Sequence, residues 1–342
     1  MRALRYLSPG QLAVQKIPEP NIADNEVLVK VMACGICGSD VHGYLGLTGR
    51  RIAPMTMGHE FSGQIIECGN QVKNYKAGDK VIVEPLNFCG KCINCRRGNS
   101  NMCLNSKLFG VMAVDGAMAE YIAVPEKLLF RLPDACSYEV GSLTEPFAVA
   151  LGALKKAGSL RNKTIFIVGT GTIGLSILQL GKLQNPKLII VSDLSDTRLK
   201  VAKEMGADET VNPKKENYLE AVRNFTDGNM ADISIEAVGI NATVNQTIKS
   251  LKKMGTCIWV GNSAREIEIN MQEIVTAALK IAGTYIYTHR EFGELIDIMA
   301  TGKLAAEKLI SKVVSLEEAP DAFKALHEQP DSFIKIIINP TL

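Results

Sequence analysis

The pattern that most restricts this chain is Gly169-Thr170-Gly171-Thr172-Ile173-Gly174. It follows the apolar run Thr164-Ile165-Phe166-Ile167-Val168 and opens a helical stretch from Thr172 to about Leu183. In that setting each glycine has its own task. The first permits a tight turn, the second lets backbone approach a pyrophosphate, and the third lets helix pack closely on strand. The helix N-terminus then faces the phosphates. A second apolar run, Leu188 to Ser192, leads into Asp193. An acid at that point accepts from the adenosine ribose hydroxyls and repels a 2′-phosphate, which favours NAD over NADP. Arg198 lies just beyond, a candidate for the same end of the cofactor that reads better as a helix-surface residue.

Strands and helices keep alternating after this point. Runs at 233–236 and 256–260 are interleaved with helical segments near 197–205, 217–225 and 241–252. Such alternation implies a doubly wound parallel sheet in an α/β domain, the Rossmann pattern. Before residue 150 the texture is different. Residues 26–32 and 80–83 are short β-branched runs, and glycines recur at 35, 38, 43, 46, 49, 58, 63, 69 and 78, which predicts a barrel or sandwich. From about residue 290 come two helical patterns and a closing apolar strand, Phe333 to Ile338. A length of 342 residues also exceeds what one core usually supports, so two domains are expected. The boundaries fall at 1–149 with 288–342, and at 150–287.

Lys+Arg number 38 and Asp+Glu 36, a net charge of +2, so bulk charge predicts neither nucleic-acid nor membrane affinity. No apolar run is long enough to span a bilayer, and Met1-Arg2-Ala3-Leu4-Arg5-Tyr6 does not begin a secretory signal. A soluble, cytoplasmic protein is expected.

Nine cysteines are present, and four of them, Cys89, Cys92, Cys95 and Cys103, crowd onto one segment. In a reducing compartment such a cluster binds metal rather than forming disulfides. Four thiolates suit tetrahedral Zn²⁺ and leave no open position, so this metal is structural. The C-x3-C-P continuation of ferredoxin-type iron–sulfur motifs is absent. A second constellation combines Cys37, Ser39, Asp40 and His42 with Gly58-His59-Glu60. Sulfur and imidazole are good zinc ligands. Taken singly, Cys37, His59 and Glu60 each also fit ordinary packing, turn or surface roles.

Gly58-His59-Glu60-x2-Gly63-x5-Gly69-x2-Val72 resembles the signature of zinc-containing medium-chain alcohol dehydrogenases. The cysteine lobe, about residues 86–106, resembles that family's structural zinc site, and Leu143-Thr144-Glu145-Pro146 is similar to its polyol branch, which includes sorbitol dehydrogenase. The resemblance implies a GroES-like β-barrel catalytic domain, a Rossmann domain, and a C-terminal segment that returns to the catalytic domain. It implies Cys37, His59 and Glu60 as ligands of a catalytic zinc, with Glu145 in a fourth position, direct or through water. Ser39 then touches the substrate oxygen, Asp40 orients His59, and His42 is the outer member of a proton relay. Ala237 and Val260 stand where strand ends contact the cofactor. Two Zn²⁺ per chain and NAD are the implied cofactors, and the partners are a small alcohol and further copies of the chain in a homodimer or homotetramer. The stretch 281–287 is the candidate for pairing across the two-fold axis.

The sorbitol enzymes carry an Arg-Tyr pair before the late helix. Here Tyr285-Ile286-Tyr287-Thr288-His289-Arg290 has no counterpart to it. The expected reaction is oxidation of a polyol or related secondary alcohol by NAD, with 2,3-butanediol or threonine 3-oxidation as alternatives on the same scaffold. A noncatalytic zinc protein is disfavoured by the intact Cys37, Ser39, His59 and Glu60. Arg50 and Arg51 raise the option of a polyol phosphate, although a loop arginine pair is more often solvent-facing.

Overall fold

The computed structural model describes residues 1–342. The chain forms two compact units, Met1–Glu145 with Thr288–Leu342, and Pro146–Tyr287. The helix Thr144–Ala157 runs through the first division, so no loop marks it and the boundary falls at Glu145/Pro146 rather than at 149/150.

In the first unit the central strand is Glu26–Gly35. It pairs antiparallel with Glu60–Cys68, Tyr121–Pro125 and Lys335–Ile338. Val27, Val29 and Val31 alternate inward and meet Phe61, Ile65, Val81, Val83 and Ile336 in one apolar core. Alternate burial of β-branched side chains is what fixes strand register. Lys335–Ile338 also pairs in parallel with Ile310–Val314, a strand the sequence did not announce because its burial pattern is mostly exposed. The final strand therefore lies beside the turn that begins at Gly35.

The second unit is a six-stranded parallel sheet. Its order is Glu209–Val211, Leu188–Ser192, Thr164–Val168, Ala231–Glu236, Leu251–Trp259 and Lys280–Gly283. Thr164–Val168 is buried along its whole length, as a strand covered on both faces must be. Strand order reverses between Thr164–Val168 and Ala231–Glu236, which puts the ligand crevice of such a sheet at their carboxyl ends. The helix expected over 241–252 stops at Lys249, because Leu251 already starts the next strand. Lys280–Gly283 is the edge strand.

Candidate metal and cofactor sites

Cys37 caps the helix Gly38–Tyr44: its sulfur accepts from the Ser39 N–H at 3.5 Å, and Asp40 Oδ2 accepts from the Cys37 N–H at 3.1 Å. A thiol thus occupies the place of the usual cap oxygen and is held at the end of strand Glu26–Gly35. His59 and Glu60 enter from the neighbouring strand. Gly58 precedes them at φ 100°, where a Cβ would lie 2.7 Å from Cys34 Sγ, so the turn that aims His59 inward admits no side chain. One ligand atom from each of Cys37, His59 and Glu60 lies within 4.8 Å of the others.

The surroundings of this cluster favour a cation. His59 is 6% exposed, and its Nδ1 makes no hydrogen bond: Asp40 Oδ1 stands 3.6 Å away. Burial would depress the His59 pKa, but Asp40 and Cys37 outweigh it and hold it well above the usual imidazole value. Burial likewise works against the Asp40 carboxylate, yet His59 and Arg51 hold its pKa well below the ordinary range. Three donors of sulfur, nitrogen and oxygen type, one short of a tetrahedron, are the set that suits a catalytic Zn²⁺.

Two neighbours were not foreseen. Lys335, 2% exposed, donates to Glu60 Oε1 at 2.9 Å and Oε2 at 2.6 Å, and to the Ile36 carbonyl at 3.0 Å. Burial opposes its charge, but Glu60 foremost, then Cys37 and Glu145, keep its pKa above the usual lysine value. The sequence signal was a single lysine inside the apolar run at 333–338, since a lysine in a buried strand needs a partner. Arg51 corrects the solvent-facing reading: it is buried and bonds Asp40 Oδ1 at 2.7 Å, whereas Arg50 is exposed. Glu145 is buried in the first turn of Thr144–Ala157 and is not among the three groups that converge within 4.8 Å. Ser39 and His42 sit exposed on the helix Gly38–Tyr44.

In the cysteine lobe all four thiols are free and converge. Sγ–Sγ distances are 3.5 Å for Cys92–Cys95 and 4.0 Å for Cys89–Cys95 and Cys92–Cys103. Four sulfurs at about 2.3 Å from one centre would be about 3.8 Å apart, so the lobe fits a tetrahedral ion. Backbone N–H groups of Lys91 and Cys92 pull the Cys89 pKa down to about 6, while burial and the neighbouring thiols push Cys95 up to about 12.

In the second unit Gly169 turns at φ 95°, and a Cβ on Gly174 would meet the Gly169 carbonyl oxygen at 1.7 Å. Space beside Gly171 is open, and it caps the helix Thr172–Lys182. Thr172 and Ile173 form that helix's first turn. Asp193 Oδ2 accepts from the Thr170 N–H at 2.7 Å and Oδ1 from Ser195 N–H at 2.9 Å, so it also holds the glycine loop. A carboxylate has capacity for further donors beyond these two. Arg198 lies half-buried in the first turn of Asp196–Glu204. Ala237 and Val260 follow the strands Ala231–Glu236 and Leu251–Trp259 at their carboxyl ends. Glu236, fully buried, accepts from the Val238 and Gly239 N–H groups and shapes that turn.

Residues 23–134 match the alcohol dehydrogenase GroES-like domain, and residues 172–301 match the zinc-binding dehydrogenase family. Sorbitol dehydrogenase of Bacillus subtilis (strain 168) is 33% identical over 99% of this chain and 97% of its own length. The chain belongs to the zinc-dependent medium-chain alcohol dehydrogenases. Within that family it falls in the sorbitol-like branch, and its two units are the GroES-like and Rossmann domains. D-arabitol-phosphate dehydrogenase of Enterococcus avium is 33% identical over 99% of this chain and 98% of its own length. A zinc-binding dehydrogenase of Sinorhizobium meliloti 1021, solved with NADP, superposes at TM-score 0.91 with 32% identity over 99% of both chains. No helix of this dehydrogenase is long and apolar enough to cross a membrane.

Proposed function

We propose that this dehydrogenase interconverts a secondary alcohol, of the polyol or polyol-phosphate class, and its ketone, with NAD as hydride acceptor. The observation that carries the reading is the convergence of half-buried Cys37, one residue before the helix turn that carries Ser39, with buried His59 and Glu60. Cys37, His59 and Glu60 would hold one Zn²⁺, with Glu145 nearby as an exchangeable or water-linked group. Cys89, Cys92, Cys95 and Cys103 would hold a second. Zinc at the first site supplies a Lewis acid for the alcohol oxygen, and NAD supplies the hydride acceptor.

The chain's own residues then manage position and protons. Ser39 Oγ accepts the alcohol proton, and His42, three residues on and on the same helix face, passes it to solvent. Asp40 places negative charge 3.6 Å from His59 Nδ1 and balances Arg51. Gly169, Gly171 and Gly174 with the helix N-terminus at Thr172 and Ile173 cradle the pyrophosphate, while Asp193 takes the adenosine ribose and disfavours a 2′-phosphate. Arg198, Ala237 and Val260 border the same cofactor. The unpaired side of Lys280–Gly283, with Met254, Met271, Val275 and Tyr285 exposed in the same unit, supports association of copies into a dimer or tetramer.

The decisive assay follows NAD⁺ reduction with sorbitol, 2,3-butanediol, D-arabitol phosphate and L-threonine. Turnover of a polyol or its phosphate is expected. A protein replete in zinc that reduces NAD⁺ with none of the four would overturn the reading.

A further inference from the structure

Arg51 is held along its backbone, its stem and its terminal nitrogens, although its buried Nε has no hydrogen-bond partner. The Arg50 carbonyl accepts from Met112 N–H at 2.8 Å, and Ile52 N–H donates to the Met112 carbonyl at 3.2 Å. Its stem crosses Gly43 so closely that a Cβ there would lie 2.4 Å from Arg51 Cγ. At the far end Nη2 donates to Asp40 Oδ1 at 2.7 Å and also to Ser39 Oγ at 3.3 Å. The side chains of Arg51 and Asp40 are 3% and 0% exposed. Asp40 therefore offsets the guanidinium charge, which argues against a free anion site. What remains distinctive is that one nitrogen serves both the acid beside His59 and the hydroxyl of Ser39.

We propose that Arg51 is a positioning residue that acts through Ser39. This rests on the relay role given to Ser39 above. A serine hydroxyl has one proton and two lone pairs. With Arg51 Nη2 on one lone pair, a single lone pair is left to accept the alcohol proton whenever the hydroxyl's own proton is turned to the His42 side. As the alcohol O–H breaks, a new Ser39 O–H forms and the old one is surrendered, so Ser39 ends neutral and the proton leaves through His42. The charged donor takes one of the three positions around Ser39 Oγ, so the hydroxyl proton has two directions left rather than three, and transfer starts from the one that faces the His42 side. Arginine suits the task because the two N–H groups of its planar Nη2 point in fixed directions, one to each acceptor, which an ammonium on a flexible stem does less well.

The test measures kcat for the best alcohol of the panel together with zinc per chain by elemental analysis. Losing one charge-assisted hydrogen bond predicts a fall in kcat of roughly ten- to a hundredfold for Arg51→Met. Zinc content should stay at the parent level, and Arg51→Lys should recover part of the loss. Gly43→Ala, which displaces the Arg51 stem without removing its charge, should resemble Arg51→Met. In a Ser39→Ala background, Arg51→Met should change kcat by less than about twofold, since residues acting as one unit are not additive. An equal loss in both backgrounds, or zinc lost with Arg51→Met, would show that Arg51 only braces Asp40 and His59, and the proposal falls. Wild-type kcat in Arg51→Met also overturns it. Wild-type kcat in Ser39→Ala is a different result: it removes the relay reading itself.

Discussion

Lys335 Nζ bridges both carboxylate oxygens of Glu60, at 2.9 and 2.6 Å, with the two side chains only 2% and 1% exposed. A cation from a distant strand thus neutralises the acid of the metal cluster. Deleting one partner of such a pair leaves an uncompensated buried charge, at a cost of about 3–5 kcal/mol. In metal-free protein, Lys335→Met should lower the urea midpoint accordingly, and Lys335→Met with Glu60→Gln should regain most of it. A single variant as stable as the parent would mean that Glu60 finds another partner.

Acid should weaken the protein partly through Asp40. Its folded pKa lies below the ordinary 3.8, so in acid the unfolded chain binds this proton before the folded one does. Stability from Asp40 is complete above its unfolded pKa and is lost as pH drops toward the folded value, beginning at about pH 5. Urea midpoints measured from pH 6 down to pH 3 should fall less steeply in Asp40→Asn than in the parent. Parallel slopes would rule this out.

The two metal clusters should differ in lability. Chelator should strip the Cys37–His59–Glu60 site first, because only three groups converge there, and leave one zinc in the four-cysteine lobe. Glu145→Gln should keep most zinc while activity drops, whereas His59→Ala should empty the site. If Glu145→Gln empties it as fully, Glu145 is a direct ligand. A brown protein containing iron would refute zinc in the lobe.

Under the proposed reading Asp193 would serve the cofactor as well as the glycine loop it is seen to hold. Asp193→Ala should narrow the NAD⁺-over-NADP⁺ preference and also release the Thr170 and Ser195 N–H groups, at about 1–3 kcal/mol for each buried donor left without a partner. Steady-state kcat/KM with both cofactors and a thermal melt read the two effects separately. Equal kcat/KM for both cofactors in the parent would overturn the NAD reading.

Assembly should run through the edge strand Lys280–Gly283. A charge on an edge blocks strand addition, so Ile281→Lys should convert a dimer or tetramer to the 37.1 kDa chain in sedimentation. A parent that already sediments as the single chain at micromolar concentration would exclude this interface.

Much of the architecture was legible because it is local. Thr164–Val168, the three glycines and Thr172–Lys182 are contiguous, and each agrees with the same parallel unit. The cysteine lobe was legible for the same reason. Cys37, His59 and Glu60 could be named from the motif, but not how their charges are balanced. Lys335 reaches Glu60 across 275 residues of sequence, and Arg51 becomes buried only when Gly43 leaves room for its stem. Ile310–Val314 escaped because its exposed positions give no alternation, and pairing with Lys335–Ile338 supplies what its own pattern lacks.

The separation between Glu60 and Lys335 also sets an order of events during synthesis. At roughly 5–20 residues per second a ribosome needs about 14–55 s to travel the 275 residues between them. The unit Pro146–Tyr287 is contiguous and lies wholly inside that interval, so it can complete its sheet while the earlier strands still lack their partner. Until Lys335–Ile338 is made, the end of strand Glu26–Gly35 is paired on one side only: Phe61 and Glu60 already face Cys34 and Gly35, while the other side waits for Ile338 and Ile337, and Glu60 lacks its buried cation. A nascent chain stalled before residue 335 would thus carry thiol, imidazole and carboxylate together, without the lysine that offsets the acid in the finished fold.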